Sequence, residues 1–201
     1  GMEFASILNS FGCEVTVVEF LKECLPPIDS DIAKRLRKCL EKRGVTFYMQ
    51  SALKGAASGK VTFERKGKVI EVEADKVLLA VGRKPLTDGL GLDEVGIKYD
   101  AKGIAVDDNM LTSVENVYAI GDVNGRQMLA HAAEMQGKRA VNAIVGCGDD
   151  IRFDVMPAAV FTLPEAASVG KTEDALKAEG ADYRSIKHYY RANGKAVAMN
   201  E

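Results

Sequence analysis

Two carboxylates stand directly after apolar, β-branched runs of the kind that form buried strands. Glu19 follows residues 15–18, and Asp122 follows Gly121 at the end of the run 117–120. At the carboxyl end of a parallel strand, where α/β proteins bind ligands, a carboxylate can accept hydrogen bonds from sugar hydroxyls. Glu19 is thus at a position where it can hold a ribose and oppose a 2′-phosphate, and we predict that Asp122 holds a sugar or ribityl hydroxyl. The alternatives are an exposed acid after a strand for Glu19 and an aspartate that caps its own loop for Asp122.

Two helix starts have features that suit an anionic ligand. Gly1 precedes Glu19 at a spacing that fits the third glycine of a G-x-G-x-x-G turn. Glu3, in the first turn of the same helix, either faces that nucleotide or is an ordinary N-terminal acid. Residues 128–131 open a later helix, whose free N–H groups and positive dipole end suit the anionic edge of a ligand.

Three further side chains are weaker candidates. His131 either carries protons or packs near its helix start, and packing is the favoured interpretation. His188 has no carboxylate or cysteine beside it, and Arg83 is either a phosphate ligand or a surface cation. The cysteines, at positions 13, 24, 39 and 147, form no CxxC or CxxxxC pair, so neither a metal site nor a redox disulfide is predicted.

The composition excludes several classes of protein. The 201 residues carry 27 Lys and Arg against 29 Asp and Glu, so no nucleic acid is expected as a partner bound through bulk charge. No run of about 18 apolar residues is present, so neither a transmembrane helix nor a membrane partner is expected. Hydrophobic residues make up 47%, an ordinary value for a folded chain.

Hydrophobic periodicity predicts alternating helices and strands in the first half of the chain. One helix opens at Gly1 and ends at Gly12, and a second is capped by Asp29 or Ser30 and ends at Gly44. The second helix has an apolar face, which comprises Ile32, Ala33, Leu36, Cys39 and Leu40. Strands are predicted over 15–19, 45–49 and 76–81, with a hairpin formed by 61–64 and 69–72.

The second half begins with a loop-rich stretch over 86–108. The elements predicted after it are a strand over 117–120, a helix over 128–145, strands over 158–161 and 166–169, a helix over 172–180 and a strand over 183–190. The whole pattern predicts an α/β fold.

Several short motifs occur in one order along the chain. They are Gly1-Met2-Glu3-Phe4-Ala5, residues 15–19, Val81-Gly82-Arg83-Lys84-Pro85, Tyr118-Ala119-Ile120-Gly121-Asp122, Met128-Leu129-Ala130-His131, and Phe161-Thr162-Leu163-Pro164-Glu165 followed by Ser168-Val169-Gly170. With this set, the sequence resembles the FAD-dependent pyridine nucleotide-disulfide oxidoreductases over essentially all of its residues. The segment 128–131 and the acidic Glu19 make it most similar to the dihydrolipoamide dehydrogenase branch of that family.

The resemblance implies how the chain is divided. Residues 1–84 correspond to a Rossmann-like NAD(P)-binding domain whose first strand is missing. Residues 85–150 correspond to the segment that returns to complete the FAD-binding domain, and residues 151–201 to the first part of an α+β dimerisation domain.

The resemblance also implies two cofactors, NAD and FAD, and the residues that hold them. The residues implied for NAD are Gly1, Met2, Glu3, Glu19, Leu53 and Gly82. The residues implied for FAD are Asp122, which binds the ribityl chain, and Met128, Leu129, Ala130 and His131, which lie against the flavin ring. No catalytic and no metal-binding residue is implied within the chain.

The reaction implied is the oxidation of a protein-bound dihydrolipoyl dithiol by an enzyme disulfide, with electrons passing through FAD to NAD⁺. The partners implied are a second copy of the enzyme and the lipoyl domains of 2-oxo acid dehydrogenase or glycine cleavage complexes, in the cytoplasm or the mitochondrial matrix. The family's CxxxxC disulfide and C-terminal His-Glu base match no residue here, so the 201 residues alone are expected to be inactive. The alternatives are another family member, such as a mercuric or glutathione-type reductase or an NADH oxidase, and a nucleotide-binding or dimer-forming module without catalysis.

Overall fold

The computed structural model describes residues 1–199. Its first part contains α1 (Met2–Ser10), β1 (Thr16–Glu19), α2 (Ser30–Lys42) and β2 (Thr46–Met49). β1 and β2 are parallel, with Glu19 opposite Met49, so α2 is the crossover of a β-α-β unit. Both strands therefore end at the same edge of the sheet, and Glu19 lies at that edge.

The helices and strands predicted for this unit are confirmed, but the prediction of which side chains are buried is partly wrong. In α2, Ala33, Leu36 and Leu40 are buried at helical spacing, whereas Ile32 is exposed and Cys39 only half-buried. The strand predicted to be buried, β1, is half-buried along its whole length. Part of the surface of these side chains is left uncovered by residues 1–199.

The core of the unit lies between α1, α2 and the two strands. It consists of the buried side chains of Met2, Cys24, Leu40 and Val45. Burial, followed by the negative charges of nearby glutamates, raises the pKa of the Cys24 thiol to about 12. Cys24 is therefore a neutral core residue at physiological pH.

A three-stranded antiparallel sheet follows, formed by β3 (Ser51–Ala57), β4 (Lys60–Arg65) and β5 (Lys68–Glu73). The predicted hairpin is β4 and β5, joined at Lys66 and Gly67, which both have positive φ. β3 was not predicted because its Ser, Ala and Gly residues have low strand propensity and it depends on pairing with β4.

Three predicted strands are absent from the part of the chain that the structure describes. Residues 76–81 form no ladder, and Val81 is 82% exposed. Residues 117–120 contribute only an isolated bridge between Leu111 and Tyr118, and residues 183–190 pair with nothing among residues 1–199. A strand is stabilised by its neighbours in the sheet, so an apolar run without a partner strand does not form one.

The middle of the chain is built from short elements and one long helix. They are α3 (Leu92–Val95), the two-residue strands β6 (Tyr99–Asp100) and β7 (Gly103–Ile104), and α4 (Ala130–Ile144). A small core of Leu92, Ile97, Ile104 and Ala119 holds the short elements together. α4 begins two residues later than predicted, so Met128 and Leu129 precede the helix rather than open it. None of the helices among residues 1–199 combines the length and the apolar character needed to cross a bilayer.

The C-terminal part contains β8 (Ala158–Val160), β9 (Ala166–Ser168), α5 (Glu173–Glu179) and α6 (Gly194–Met199). β8 and β9 form the predicted antiparallel pair, and α5 is the predicted capped helix, with Thr172 Oγ1 accepting a hydrogen bond from Ala175 N. This part packs on α2 through a cluster of Ile28, Leu36 and Ala166.

α2 and α5 cap each other. Asp29, at the start of α2, accepts a hydrogen bond from Glu173 N in the first turn of α5 (2.6 Å). Asp174, in the first turn of α5, accepts one from Ser30 N in the first turn of α2 (2.8 Å). Each carboxylate therefore satisfies an N–H group of the other helix and interacts favourably with its dipole.

We expect Asp29→Ala to loosen the C-terminal part from α2, at a cost typical of a lost helix cap, about 1 kcal/mol. In the full-length protein, hydrogen–deuterium exchange of the α5 amides should become faster. The matched control is Asp182→Ala, since Asp182 is exposed and caps no helix. Equal exchange rates in the two variants would contradict the role given to Asp29.

The contact between α2 and α5 should also depend on pH through Asp174. The Ser30 N–H group lowers the pKa of Asp174 below its ordinary value. A lowered pKa in the folded state stabilises the contact at neutral pH, and this stabilisation is lost as the pH falls through the lowered value. The protection of the α5 amides, measured as the ratio of the intrinsic exchange rate at each pH to the observed rate, should therefore fall in acid, and Asp174→Asn should flatten that dependence.

Candidate functional site

The start of α1 has the geometry of a dinucleotide-binding helix end. Gly1 is the N-cap residue, and no side chain caps the first N–H groups. A Cβ atom on Gly1 would lie 3.2 Å from Cβ of Ala80, so glycine allows the start of α1 to approach Ala80 closely. Close packing between helix and strand is the reason for the third glycine of a dinucleotide turn.

The side chains of Met2 and Glu3 are turned towards the protein. Met2 is part of the buried core, and Glu3 Oε1 accepts a hydrogen bond from Phe161 N at 2.9 Å. Beside it, Ser6 Oγ accepts one from Leu163 N at 3.0 Å. The Met2 side chain is therefore unavailable to a ligand at this helix end, whereas the backbone N–H groups of Met2 and Glu3 and the second carboxylate oxygen of Glu3 make no hydrogen bond within residues 1–199. No local pattern predicts the contact with Phe161, because the two residues are far apart in the sequence.

Glu19 is the last residue of β1, as predicted. Its Oε1 accepts a hydrogen bond from Leu21 N at 2.8 Å, which fixes the loop after the strand. Its other oxygen makes no hydrogen bond within residues 1–199. The carboxylate can therefore order its own loop and still accept a bond from a hydroxyl group.

Leu53 and Gly82 lie at the surface. Leu53 pairs with Phe63 in the sheet and is 47% exposed, next to a bulge that precedes Gly55. Gly82 has φ +111°, and a Cβ atom there would meet nothing within 4 Å. Their role in binding NAD stays a prediction.

Gly121 and Asp122 begin a 3₁₀ turn, Gly121–Asn124, that packs against α4. Gly121 has φ +75°, and a Cβ atom on it would lie 3.3 Å from Cβ of Ala133. Gly121 N donates to Gln136 Oε1 at 2.7 Å. The turn is therefore held against the helix by a close backbone approach and a buried hydrogen bond.

Asp122 itself points outward and is exposed. Its Oδ2 lies 3.6 Å from Nη1 of Arg83, whose side chain is also exposed. An exposed pair of this kind contributes about 0–1 kcal/mol, so the carboxylate remains available to a ligand. Arg83, predicted as a phosphate ligand or a surface cation, is a surface cation beside this carboxylate.

The start of α4 is a second helix end with uncapped N–H groups. Leu129 is the N-cap residue, and no side chain accepts from the first turn. Met128 and Leu129 are half-buried, whereas Ala130 and His131 are exposed. His131 Nε2 lies 2.7 Å from the carbonyl oxygen of Pro157. Because a carbonyl only accepts, Nε2 is the donor, and this geometry supports a packing role for His131 rather than proton transfer.

Residues 149–157, which we call the linking segment, follow the side of α4. Arg139 Nη2 donates to the carbonyl of Ile151 and Gln127 Nε2 to that of Phe153, both at 2.7 Å. Arg139 also forms an ion pair with Asp149 at 2.8 Å. Together with His131, these side chains tie the linking segment to the helix along most of its length.

Two nucleotides fit this arrangement better than a metal ion does. Both helix ends have backbone N–H groups without a capping side chain, Gly1 and Gly121 allow close approach at Ala80 and Ala133, and Glu19 and Asp122 each keep a carboxylate oxygen without a hydrogen bond among residues 1–199. Within residues 1–199, no three His, Cys, Asp or Glu side chains are grouped so that they could hold a metal ion.

The pyridine nucleotide-disulphide oxidoreductase family matches residues 1–137, and the dimerisation domain of the same family matches residues 156–201. The chain belongs to this family. Its cofactors are accordingly FAD and a pyridine nucleotide, and the predicted α/β fold class is confirmed.

Individual members of the pyridine nucleotide-disulphide oxidoreductase family are similar over the whole chain. The leghemoglobin reductase of Glycine max is 42% identical over 207 residues, covering 100% of this chain and 40% of that protein. The mitochondrial dihydrolipoyl dehydrogenase of Pisum sativum is also 42% identical, with coverage of 100% and 41%. The crystal structure of LpdA from Mycobacterium tuberculosis superposes with a TM-score of 0.84 at 32% identity, covering 99% of this chain and 44% of LpdA. The chain thus spans well under half the length of the relatives that it matches.

Proposed function

We propose that this chain is part of a dihydrolipoyl dehydrogenase, a flavoprotein that oxidises protein-bound dihydrolipoamide and reduces NAD⁺. The observation that carries the proposal is the presence of two uncapped helix ends in one chain, each accompanied by a glycine and a carboxylate. One suits a dinucleotide beside Glu19, and the other suits a flavin nucleotide beside Asp122. The 42% identity to a dihydrolipoyl dehydrogenase supports the choice within the family.

On the NAD side, we assign the pyrophosphate to the N–H groups at the start of α1. Gly1 brings the start of the helix close to Ala80, and Met2 and Glu3 contribute their backbone. Glu19 would accept hydrogen bonds from the adenosine ribose, and Leu53 and Gly82 would contact the same nucleotide. The negative charge of Glu19 would disfavour the 2′-phosphate of NADP.

On the FAD side, we assign a ribityl hydroxyl to the Asp122 carboxylate. The backbone of Met128, Leu129, Ala130 and His131 would face the flavin ring, and the dipole of α4 would stabilise negative charge on it. The flavin, when bound, supplies the redox chemistry between a dithiol and the pyridine nucleotide. The residues described here bind and orient the two nucleotides.

The division of the chain and its partners belong to the same proposal. Residues 1–84 would form part of the NAD-binding domain, 85–150 part of the FAD-binding domain and 151–201 part of a dimerisation domain that pairs two copies of the enzyme. Lipoyl domains of 2-oxo acid dehydrogenase or glycine cleavage complexes would be the substrates, in the cytoplasm or the mitochondrial matrix. The equal identity to a leghemoglobin reductase makes another reductase of the family the second candidate.

Asp122→Ala in the full-length protein should release FAD. Loss of a hydrogen bond to a charged group corresponds to a roughly tenfold to hundredfold weaker affinity for FAD, with little change in the KM for NAD⁺. Flavin content after gel filtration and a titration of the apoprotein with FAD would measure it. The matched control is Asp150→Ala, because Asp150 is exposed and distant in sequence from the turn.

Two outcomes would count against the proposal. Unchanged flavin content with a raised KM for NAD⁺ would place Asp122 on the wrong nucleotide. A full-length protein that holds FAD but does not form NADH from dihydrolipoamide and NAD⁺ would belong to another branch of the family.

A further inference from the structure

Two buried amide side chains lie directly behind the turn that presents Asp122. Gln136, on the second turn of α4, is 1% exposed, and Asn124, at the end of the 3₁₀ turn, is 7% exposed. Gln136 Oε1 accepts hydrogen bonds from Gly121 N at 2.7 Å and from Asn124 Nδ2 at 2.8 Å. Asn124 Nδ2 also donates to the carbonyl of Ala119 at 3.0 Å. Two backbone groups on the chain leading into Asp122 are thereby fixed.

These bonds join the two parts of the candidate flavin site. Asp122 belongs to the turn, and the free N–H groups belong to the first turn of α4, one helical turn before Gln136. The close approach of Gly121 to Ala133 leaves the turn little room to slide along the helix. The separation between the Asp122 carboxylate and the helix end is therefore set by a short, buried contact.

We propose that Gln136 is a positioning residue for FAD, which acts through the Gly121 N–H group. It holds the Asp122 carboxylate and the α4 helix end at the separation that one bound flavin nucleotide requires. Its side chain is too deeply buried to touch the cofactor. This inference rests on the proposed function, because it takes the turn to face FAD.

The chemistry of the cluster explains why an amide suits this position. Both partners of Oε1 are N–H donors, so the position needs an acceptor. An apolar side chain would leave the Gly121 N–H group buried without a partner, which is costly. Glutamate would keep an acceptor oxygen in the same place, whereas methionine has a similar shape without one.

The test uses the full-length holoenzyme with three substitutions. Gln136→Met removes the acceptor, Gln136→Glu retains it, and Asn142→Leu is the matched control. Asn142 is also an amide on α4, but its Nδ2 donates to Asp149 Oδ2 at 3.0 Å, away from the turn. The readouts are the Kd for FAD of each apoprotein, the visible absorption spectrum of the bound flavin and the Tm of each apoprotein.

We expect Gln136→Met to raise the Kd for FAD roughly tenfold or more and to shift the flavin spectrum. Gln136→Glu should restore the Kd to within about threefold of the wild-type value, and Asn142→Leu should stay within about twofold. If Gln136→Met does not fold, Asn124→Ala is tested in its place. Asn124→Ala removes one donor to Gln136 and the hydrogen bond to the carbonyl of Ala119, so we expect it to raise the Kd for FAD severalfold.

Distinct results would overturn the inference. If Gln136→Met, or Asn124→Ala in its place, binds FAD with wild-type affinity, the inference about Gln136 is wrong. The proposed function still stands in that case if Asp122→Ala releases FAD. Parallel losses of Tm and affinity in all variants, including Asn142→Leu, would reduce Gln136 to a structural residue. A wild-type protein that binds no FAD would overturn the proposed function itself.

Discussion

Replacing Gly125 with alanine is expected to lower the free energy of unfolding by about 4 kcal/mol or more. Gly125 has φ +67°, which alanine adopts only with strain, and a Cβ atom there would lie 1.7 Å from the carbonyl oxygen of Lys102. That neighbour is backbone, so two segments of the chain must separate to admit a methyl group. Urea-induced unfolding of the full-length protein would measure the loss.

Gly146→Ala is the control for Gly125→Ala. Gly146 has nearly the same φ, +69°, but a Cβ atom there would meet nothing within 4 Å. Its substitution should cost only the conformational strain, about 1 kcal/mol. If the two variants were equally stable, the close approach of Lys102 to Gly125 would be refuted.

Glu19→Arg should shift the preference of the full-length enzyme from NAD⁺ towards NADP⁺. In the proposed NAD site, the Glu19 carboxylate would oppose a 2′-phosphate, and an arginine at the same position would attract it. We expect the ratio of kcat/KM for NAD⁺ to that for NADP⁺ to fall by roughly tenfold or more, which corresponds to about 1.4 kcal/mol. Steady-state kinetics with each nucleotide would measure the ratio.

Glu14→Arg makes the same charge change at an exposed residue just before β1 and should leave the ratio unaltered. Glu19→Gln removes the negative charge but keeps the loop structure, because the amide oxygen of glutamine can still accept the hydrogen bond from Leu21 N. An unaltered ratio in Glu19→Arg would remove Glu19 from the NAD site.

The elements that the sequence predicts best are those determined by neighbouring residues. α2 follows from the helical spacing of Ala33, Leu36 and Leu40, and from Gly44 after its end. The β4–β5 hairpin follows from alternating side chains around Lys66 and Gly67.

Elements that depend on distant partners are predicted poorly. Residues 76–81 have a strand-like composition, yet they form no ladder because no described strand lies beside them. β3 has the opposite character, since its composition is unfavourable and its pairing with β4 makes it a strand. Composition measures a preference, whereas a sheet also requires a neighbour in register.

The candidate site divides in the same way. Gly1, Glu19 and Asp122 can be found from residue type and position after a predicted element, and the structure places them at a helix end, a strand end and a turn. No sequence pattern predicts the hydrogen bond between Glu3 and Phe161, because the two residues are far apart in the chain. The position of Gln136 is weakly indicated, because it is the polar residue at helical spacing between Ala132 and Ala140, which are both buried.

The attachment of the linking segment to α4 has a mechanical consequence. Residues 149–155 of this segment lie between the two stretches that match the family, where a flexible hinge is commonly found. Here the side chains of Arg139, Gln127 and His131 donate hydrogen bonds to backbone carbonyls spaced along the segment. These bonds restrict its movement relative to α4. β8 follows the linking segment directly, so a displacement of β8 would pull on α4 through these hydrogen bonds, and the first turn of α4 would move with β8 rather than independently of it.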